Sequence, residues 1–455
     1  MDARLTPSAP DDLVRRSLQH VWHPCTQMKR ASESSPPLPI VRGAGPWLYD
    51  ASGRRYFDAI SSWWVNLFGH ADARINAALK RQLDTLEHVM LAGCTHEPAV
   101  ELAERLSALT GGVLGHAFYG SDGASAIEIA LKMSFHAWRN SAQPQRREFV
   151  CLRHSYHGET LGALSVTDVA IFRDAYDPLL MRAHLVATPD ARQAETGETA
   201  EAVAQRALAD LRRLLEQRGE TIAAVILEPL VQCAAGMAMH DPAYLRGVRA
   251  LCDEFGIHMI ADEIAVGCGR SGRFFACEHA QIWPDFITLS KGITGGYLPL
   301  SVVLCRDSIY QAFWDDAVAR GFLHSHSYTG NPLACRAAVT VLERFADEDV
   351  LARNAAQSAV ISRTFAAALA GDDRIEHLRQ QGMIWAFDVR EAGAGAVEGA
   401  GFADRFHVAG REHELLIRPI GRTVYLMPPF LLGEAVYADL AERTLATLDA
   451  VVPRT

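Results

Sequence analysis

The chain reads as an α/β protein: a large domain on a mainly parallel sheet flanked by helices, plus a smaller α/β domain drawn from both chain ends. Three observations predict it. Short apolar runs alternate with helix-period stretches through the middle of the chain, the pattern that makes parallel sheets with helices on both faces. The length, 455 residues, exceeds the roughly 250–300 residues at which a single core stops growing. Apolar residues make up 49% and charged residues 22%, a balance that excludes collagenous, low-complexity and disordered chains.

The elements follow in order. The first forty residues are polar and Pro-rich, with SSPPLP at Ser34–Pro39, and predict an irregular arm over the surface. PWLYDASGRRYFDA, Pro46–Ala59, predicts a hairpin turning at Ser52–Gly53. Helical periodicity runs from about Asp72 to Ala108, and HAFYG then predicts a strand, a Gly-containing loop and a helix from about Ala124. The alternation continues with the strand EFVCL, helical residues near Glu159–Leu164, a long helix over Glu195–Arg218 and the strand AAVILEP. A helix at Ala243–Phe255 and the apolar runs IHMIADE and DFITLSK complete the central part. After Asn331 a long helix leads to a region holding MIWAFDV and VYLMP as strands. The expected division is residues 1–70 as arm and part of the small domain, 71–340 as the large domain, and 341–455 as the C-terminal small domain.

Charge and cysteine usage narrow the function. Asp and Glu number 54 against 44 Lys and Arg, for a net charge of −10. Without a basic run, neither nucleic acid nor anionic lipid is expected as a partner. Nine Cys scattered without C-x-x-C pairs predict reduced thiols and neither a disulfide framework nor a metal site. MDARLTPSAPDDLVRRS has no apolar core of a secretory signal, and Glu228, Pro229 and Gln232 interrupt the most apolar stretch, Ile222–Met239. A cytoplasmic globular protein is the expectation.

Chemistry concentrates at strand ends. IHMIADE puts Asp262, and DFITLSK puts Lys291, at the carboxyl ends of apolar strands, where open α/β sheets bind ligands. A part-buried Lys becomes a nucleophilic amine because burial lowers its pKa. An Asp beside it could pair with a heterocyclic cation, and a Schiff-base Lys with an Asp for the pyridinium nitrogen is how proteins hold pyridoxal phosphate, PLP. GSDGAS, with Gly123 and Ala124 opening a helix, offers N–H groups and the helix dipole to an anion, although such a loop also serves as a simple turn and cap. Tyr156 in SYHG could stack on a cofactor ring or pack as a core aromatic. The His pairs at 154 and 157 and at 324 and 326 read as structural histidines.

ADEIAVGCGRSGRFFACEHA followed by DFITLSKGITGGYLPL, with 29 positions from Asp262 to Lys291, resembles the signature of the class III, fold type I PLP-dependent aminotransferases. Narrower motifs, WHPCTQM, SSWWVNLFGH, SYHGETLGALSV, GNPLACRAA and IRPIGRTVYLMPP, resemble the branch of that family in biotin biosynthesis. The resemblance implies PLP as cofactor, a homodimer with shared sites, and amino transfer from S-adenosylmethionine to 8-amino-7-oxononanoate. It implies Lys291 as the amine that bonds PLP and relays protons, Asp262 at the pyridine nitrogen and Tyr156 on the ring. Gly123, Ala124 and, from the partner subunit, Ser327 would bind the phosphate. Trp63, Trp64 and Cys25 would line the substrate pocket, with Ser325 on its wall and Arg418 pairing with the keto acid's carboxylate. Two positions depart from the pattern. Cys25 stands where the WHP-x-T motif usually carries an aromatic, often Tyr, and Ser325 and His326 replace a Gly-Pro pair. Both touch the choice of donor. An ω-amino-acid or diamine transaminase, or a relative using lysine, is the alternative, and a non-catalytic protein on the same fold is the remote one.

Overall fold

The computed structural model describes residues 10–390 and 401–454. Residues 1–9, 391–400 and 455 lie outside the described residues, and with them the start of the expected arm, MDARLTPSA.

A seven-stranded sheet organises the centre, in the order His116–Gly120, Ser301–Cys305, Phe286–Leu289, His258–Asp262, Ile222–Leu227, Glu148–Leu152, His184–Val186. All neighbours pair in parallel except those of Ser301–Cys305, which runs against both of its partners. A parallel return needs a crossover of a dozen or more residues, usually helical. The link after Leu289 is short and holds only the 3-10 turn Lys291–Thr294, so the chain comes back antiparallel. The inner strands carry continuous apolar runs because helices cover both faces: Ile222–Leu227 and His258–Asp262 are buried at every position.

The expected hairpin forms, as Trp47–Asp50 against Arg55–Asp58. Its second strand also pairs in parallel with Leu415–Leu416 near the other chain end. A three-stranded antiparallel sheet joins Ile375–Gln381, Ile384–Val389 and Thr423–Leu426. Among the described residues no helix is long and apolar enough to cross a membrane.

Two expectations need correction. The arm is not wholly irregular: Pro10–His20 and Met28–Glu33 are helices. The first has Asp11 and Asp12 in its first turn and His20 in its last, charges that suit the helix dipole, and Asp12 pairs with Arg15 and Arg16 one turn on. The helical stretch expected over residues 72–108 is two helices, Ala73–Leu83 and Glu97–Leu109. Between them Gly93 takes φ +86°, and the His96 side chain caps the second helix by accepting from Ala99 N–H.

Candidate functional site

Five chain segments leave the carboxyl ends of parallel strands and meet over a cavity of about 310 Å3. Asp262 ends its strand, Glu228 follows Leu227, and Lys291 lies two residues past Leu289. Tyr156 and His157 follow the strand Glu148–Leu152, and Gly123 and Ala124 open the helix Gly123–Asn140 after the strand His116–Gly120. All of them line the cavity, with Trp64 closing one side. That helix is capped by Asp122, whose carboxylate accepts from Ser125 N–H at 2.9 Å. Gly158 lets the Tyr156 loop pass close by: its φ is +121°, and a Cβ there would stand 2.6 Å from Ala124 Cβ.

Hydrogen bonds fix the acidic groups. Asp262 is buried and accepts from the His157 ring nitrogen Nδ1 at 2.7 Å and from Ile264 N–H at 3.1 Å. A carboxylate only accepts, so the His157 proton sits on Nδ1. Its Nε2 is buried with no hydrogen-bond partner among the described residues. Glu228 accepts from the N–H groups of Tyr156 at 3.0 Å and Cys233 at 3.1 Å. Burial pushes its carboxyl up to about 7, helped by the Asp262 charge and opposed by His157.

Lys291 sits in the left-handed region at φ +45°, which turns its side chain back over the strand ends. Burial holds its ammonium below the usual lysine value, against the attraction of Asp262. Among the described residues no side chain hydrogen-bonds that ammonium; its near neighbour is the Trp64 ring, with Nζ 4.8 Å from the centroid. Tyr156 donates its hydroxyl to Glu159 at 2.8 Å and packs edge-on against Phe172.

A second space adjoins the first. It is an open groove of about 650 Å3 lined by Cys25, Trp63, Ile171, His407 and Arg418 among others. Arg418 is exposed, lies 5.3 Å from the Trp63 ring centroid, and has no carboxylate partner among the described residues. The Cys25 thiol is pushed up by burial and by the Glu159 charge, while Arg418 pulls it down. Since Glu159 is on the cavity wall, cavity and groove meet at this point. One backbone feature divides the two tryptophans between them. Ser61, Ser62, Trp63 and Trp64 have φ of +50°, +46°, +73° and +74°, a left-handed turn that costs roughly 1–2 kcal/mol per residue for L-residues. It leaves Trp64 5% exposed in the cavity and Trp63 43% exposed in the groove.

This geometry has relatives. The family model described as "Aminotransferase class-III" matches residues 28–448. The chain belongs to the class III aminotransferases. It is 43% identical over 93% of its length to the adenosylmethionine-8-amino-7-oxononanoate aminotransferase of Helicobacter pylori, covering 94% of that protein. The Geobacter sulfurreducens protein of the same name is 38% identical over 90% of this chain and 91% of its own. Among solved structures, the adenosylmethionine-8-amino-7-oxononanoate aminotransferase of Methanocaldococcus jannaschii superposes with a TM-score of 0.89 at 31% identity, covering 97% of this chain and 99% of that one. An (S)-enantioselective omega-transaminase from Thermomicrobium roseum gives 0.92 at 29% identity, covering 98% and 100%.

Within this class III aminotransferase the residues singled out from sequence fall into three groups. Lys291, Asp262, Tyr156, Gly123, Ala124 and Trp64 meet at the inner cavity. Cys25, Trp63 and Arg418 meet in the groove. Ser325 and Ser327 line neither: both are exposed on the segment 324–330, where they alternate with the half-buried His324 and His326, the latter with Nδ1 at 3.1 Å from Ser121 Oγ. The two tryptophans, expected side by side in one pocket, face different spaces. Glu228, which obeys the same strand-end rule as Asp262, reads from sequence only as an interruption of an apolar stretch, and His157, expected as a structural histidine, lines the cavity and holds Asp262.

Proposed function

We propose that this aminotransferase uses PLP to move an amino group from S-adenosylmethionine to 8-amino-7-oxononanoate, yielding 7,8-diaminononanoate, and works as a cytoplasmic homodimer. The observation that carries the reading is that Lys291 and Asp262, from adjacent parallel strands, face one cavity whose far wall is a helix N-terminus. The names of the relatives supply the two substrates.

The residues fit PLP by their chemistry. The cavity offers one amine, two buried carboxyl groups of which Asp262 is held by His157, an aromatic wall and an anion cradle. PLP supplies, when bound, an electron-poor ring that draws charge away from the substrate carbon bearing the amino group. Lys291 would provide the amine that holds the cofactor's carbonyl carbon, and burial lowers that amine's pKa from its ordinary value. Its Nζ would also be the group that moves a proton on the substrate. Asp262 would keep the ring nitrogen protonated, and the His157 proton on Nδ1 steadies its carboxylate. The N–H groups of Gly123 and Ala124, at a helix N-terminus, would hold the phosphate. Trp64 and Tyr156, on the cavity wall, would flank the ring and exclude water.

Arg418 suits the carboxylate of the keto acid, as an exposed guanidinium in the groove with no carboxylate of its own. The two half-reactions share one site in turn, so the kinetics are ping-pong. Leu323 and Tyr328, 80% and 66% exposed, flank Ser325 and Ser327 and support a face covered by a second copy, through which Ser327 would reach the partner's phosphate.

The test is a panel of amino donors with 8-amino-7-oxononanoate as acceptor and diaminononanoate as the detected product. S-Adenosylmethionine should be the best donor. Faster turnover with lysine would assign the chain to a lysine-using branch. Turnover of simple amines with pyruvate in place of 8-amino-7-oxononanoate would assign it to the omega-transaminases.

A further inference from the structure

The left-handed turn that separates the two tryptophans is held from outside by residues that touch neither space. Asp58, fully buried, accepts from Ser62 N–H at 2.8 Å and from the Ser62 hydroxyl at 2.7 Å. His70 Nε2 donates to the same carboxylate at 3.0 Å, and the Asn66 side-chain N–H donates to His70 Nδ1 at 3.1 Å. One tautomer satisfies both bonds, with the proton on Nε2. Farther along, Ser61 Oγ donates to Met427 O at 2.7 Å and the buried Arg270 guanidinium to Asn66 O at 3.1 Å.

Each of these bonds grips the turn or its exit, and apart from Ser62, which also lines the groove, none involves a residue lining the cavity or the groove. A run of four L-residues at positive φ does not persist without such support.

We infer that Asp58, backed by His70, is a positioning residue that holds Ser61–Trp64 in its left-handed turn and so assigns Trp64 to the cofactor cavity and Trp63 to the substrate groove. The inference rests on the aminotransferase reading for its kinetic consequence alone; the placement of the rings is independent of it. If the grip is lost, the turn relaxes to right-handed or extended backbone, which carries both indoles out of register with Lys291 and Arg418. Glycine at position 62 adopts the left-handed region without penalty, so Ser62→Gly should restore the turn where Asp58 is missing.

The experiment uses PLP-loaded protein labelled with 5-fluorotryptophan, its 19F lines for the two rings assigned through Trp63→Phe and Trp64→Phe. In the native protein the Trp64 line should show little solvent isotope shift and the Trp63 line a larger one. Asp58→Ala should move the Trp63 line and give the Trp64 line an isotope shift, leave the lines of the other six tryptophans in place, and raise KM for 8-amino-7-oxononanoate about tenfold with a smaller change in kcat. Asp58→Asn, which still accepts from Ser62 N–H, should stay near wild type. Asp58→Ala/Ser62→Gly should recover both readouts.

Unmoved lines and KM in Asp58→Ala would overturn the inference, as would failure of the glycine variant to recover either. Should Asp58→Ala not fold, Ser62→Ala decides: it keeps the strain and loses one bond, and lines unmoved there overturn the inference too. If the lines move as expected but the keto acid is never turned over, the positioning role stands and the substrate reading falls.

Discussion

The inner cavity and the outer groove share one turn of backbone and differ in almost everything else. The cavity's two buried carboxyl groups sit at the ends of buried strands and are held by hydrogen bonds, Asp262 by His157 and Glu228 by two backbone N–H groups. The groove is lined by the N-terminal arm and a C-terminal segment, and its Cys25 and Arg418 are exposed. The cavity is therefore preorganised for chemistry on one fixed group, while the groove is open enough to accept two dissimilar substrates in turn. Changes in the cavity should abolish reaction with every substrate, whereas changes in the groove should redistribute preference among substrates.

The largest expected effect is at Lys291. Lys291→Ala should lower turnover by roughly 10^4-fold with every donor, by removing the group that moves the proton, and should lose the visible absorbance of the cofactor-bound protein. Steady-state assays and a spectrum check it, and undiminished turnover would contradict the role.

Next comes Asp262→Asn. A preorganised charge is lost but the shape is kept, so kcat should fall by about 10^2–10^3-fold, again irrespective of donor. A donor-dependent loss would blur the boundary between the two spaces.

Cys25→Tyr should act only through the groove. An added aromatic contact is worth roughly 0.5–1.5 kcal/mol, so kcat/KM for S-adenosylmethionine should rise by up to about tenfold, with the keto acid half-reaction little changed. An equal change in both would place Cys25 outside donor recognition.

The smallest effect is on stability. Without cofactor, the folded Lys291 has a pKa below the 10.5 of an ordinary lysine, chiefly through burial. Between the lowered value and 10.5 the unfolded chain binds more protons at this site than the folded one, so stability rises with pH across that window. Lys291→Met should consequently be more stable than the wild type in urea at neutral pH, by a margin that shrinks as pH approaches 10. A constant margin would show that burial is not what depresses the lysine.

The central sheet and its two best residues are legible in sequence because one rule covers them: apolar run, then a polar residue, at the ligand-binding end of a parallel strand. Glu228 obeys that rule as well as Asp262, but in a chain read without its fold it looks only like an interruption in an apolar stretch. His157 carries no local sign that its partner is Asp262, 105 positions away. The turn at Ser61–Trp64 is less legible still. Left-handed backbone is usually announced by Gly or Asn, and SSWW contains neither; the bonds that impose it come from Asp58, His70, Met427 and Arg270. The helix Pro10–His20 is a milder case, since its charge pairing is visible in PDDLVRRSLQH once the prolines that follow are set aside.

One measurement bears most directly on the division of labour between cavity and groove: single-turnover absorbance changes of the PLP-loaded protein, followed separately for each half-reaction, in wild type and Arg418→Ala. Loss of a charged partner costs roughly 2–5 kcal/mol, so the variant should need at least about 30-fold more 8-amino-7-oxononanoate for half-maximal rate. Its half-reaction with S-adenosylmethionine should stay within about threefold of wild type. Equal impairment of both half-reactions would contradict the account, because Arg418 would then belong to the shared machinery and the groove would not choose between substrates.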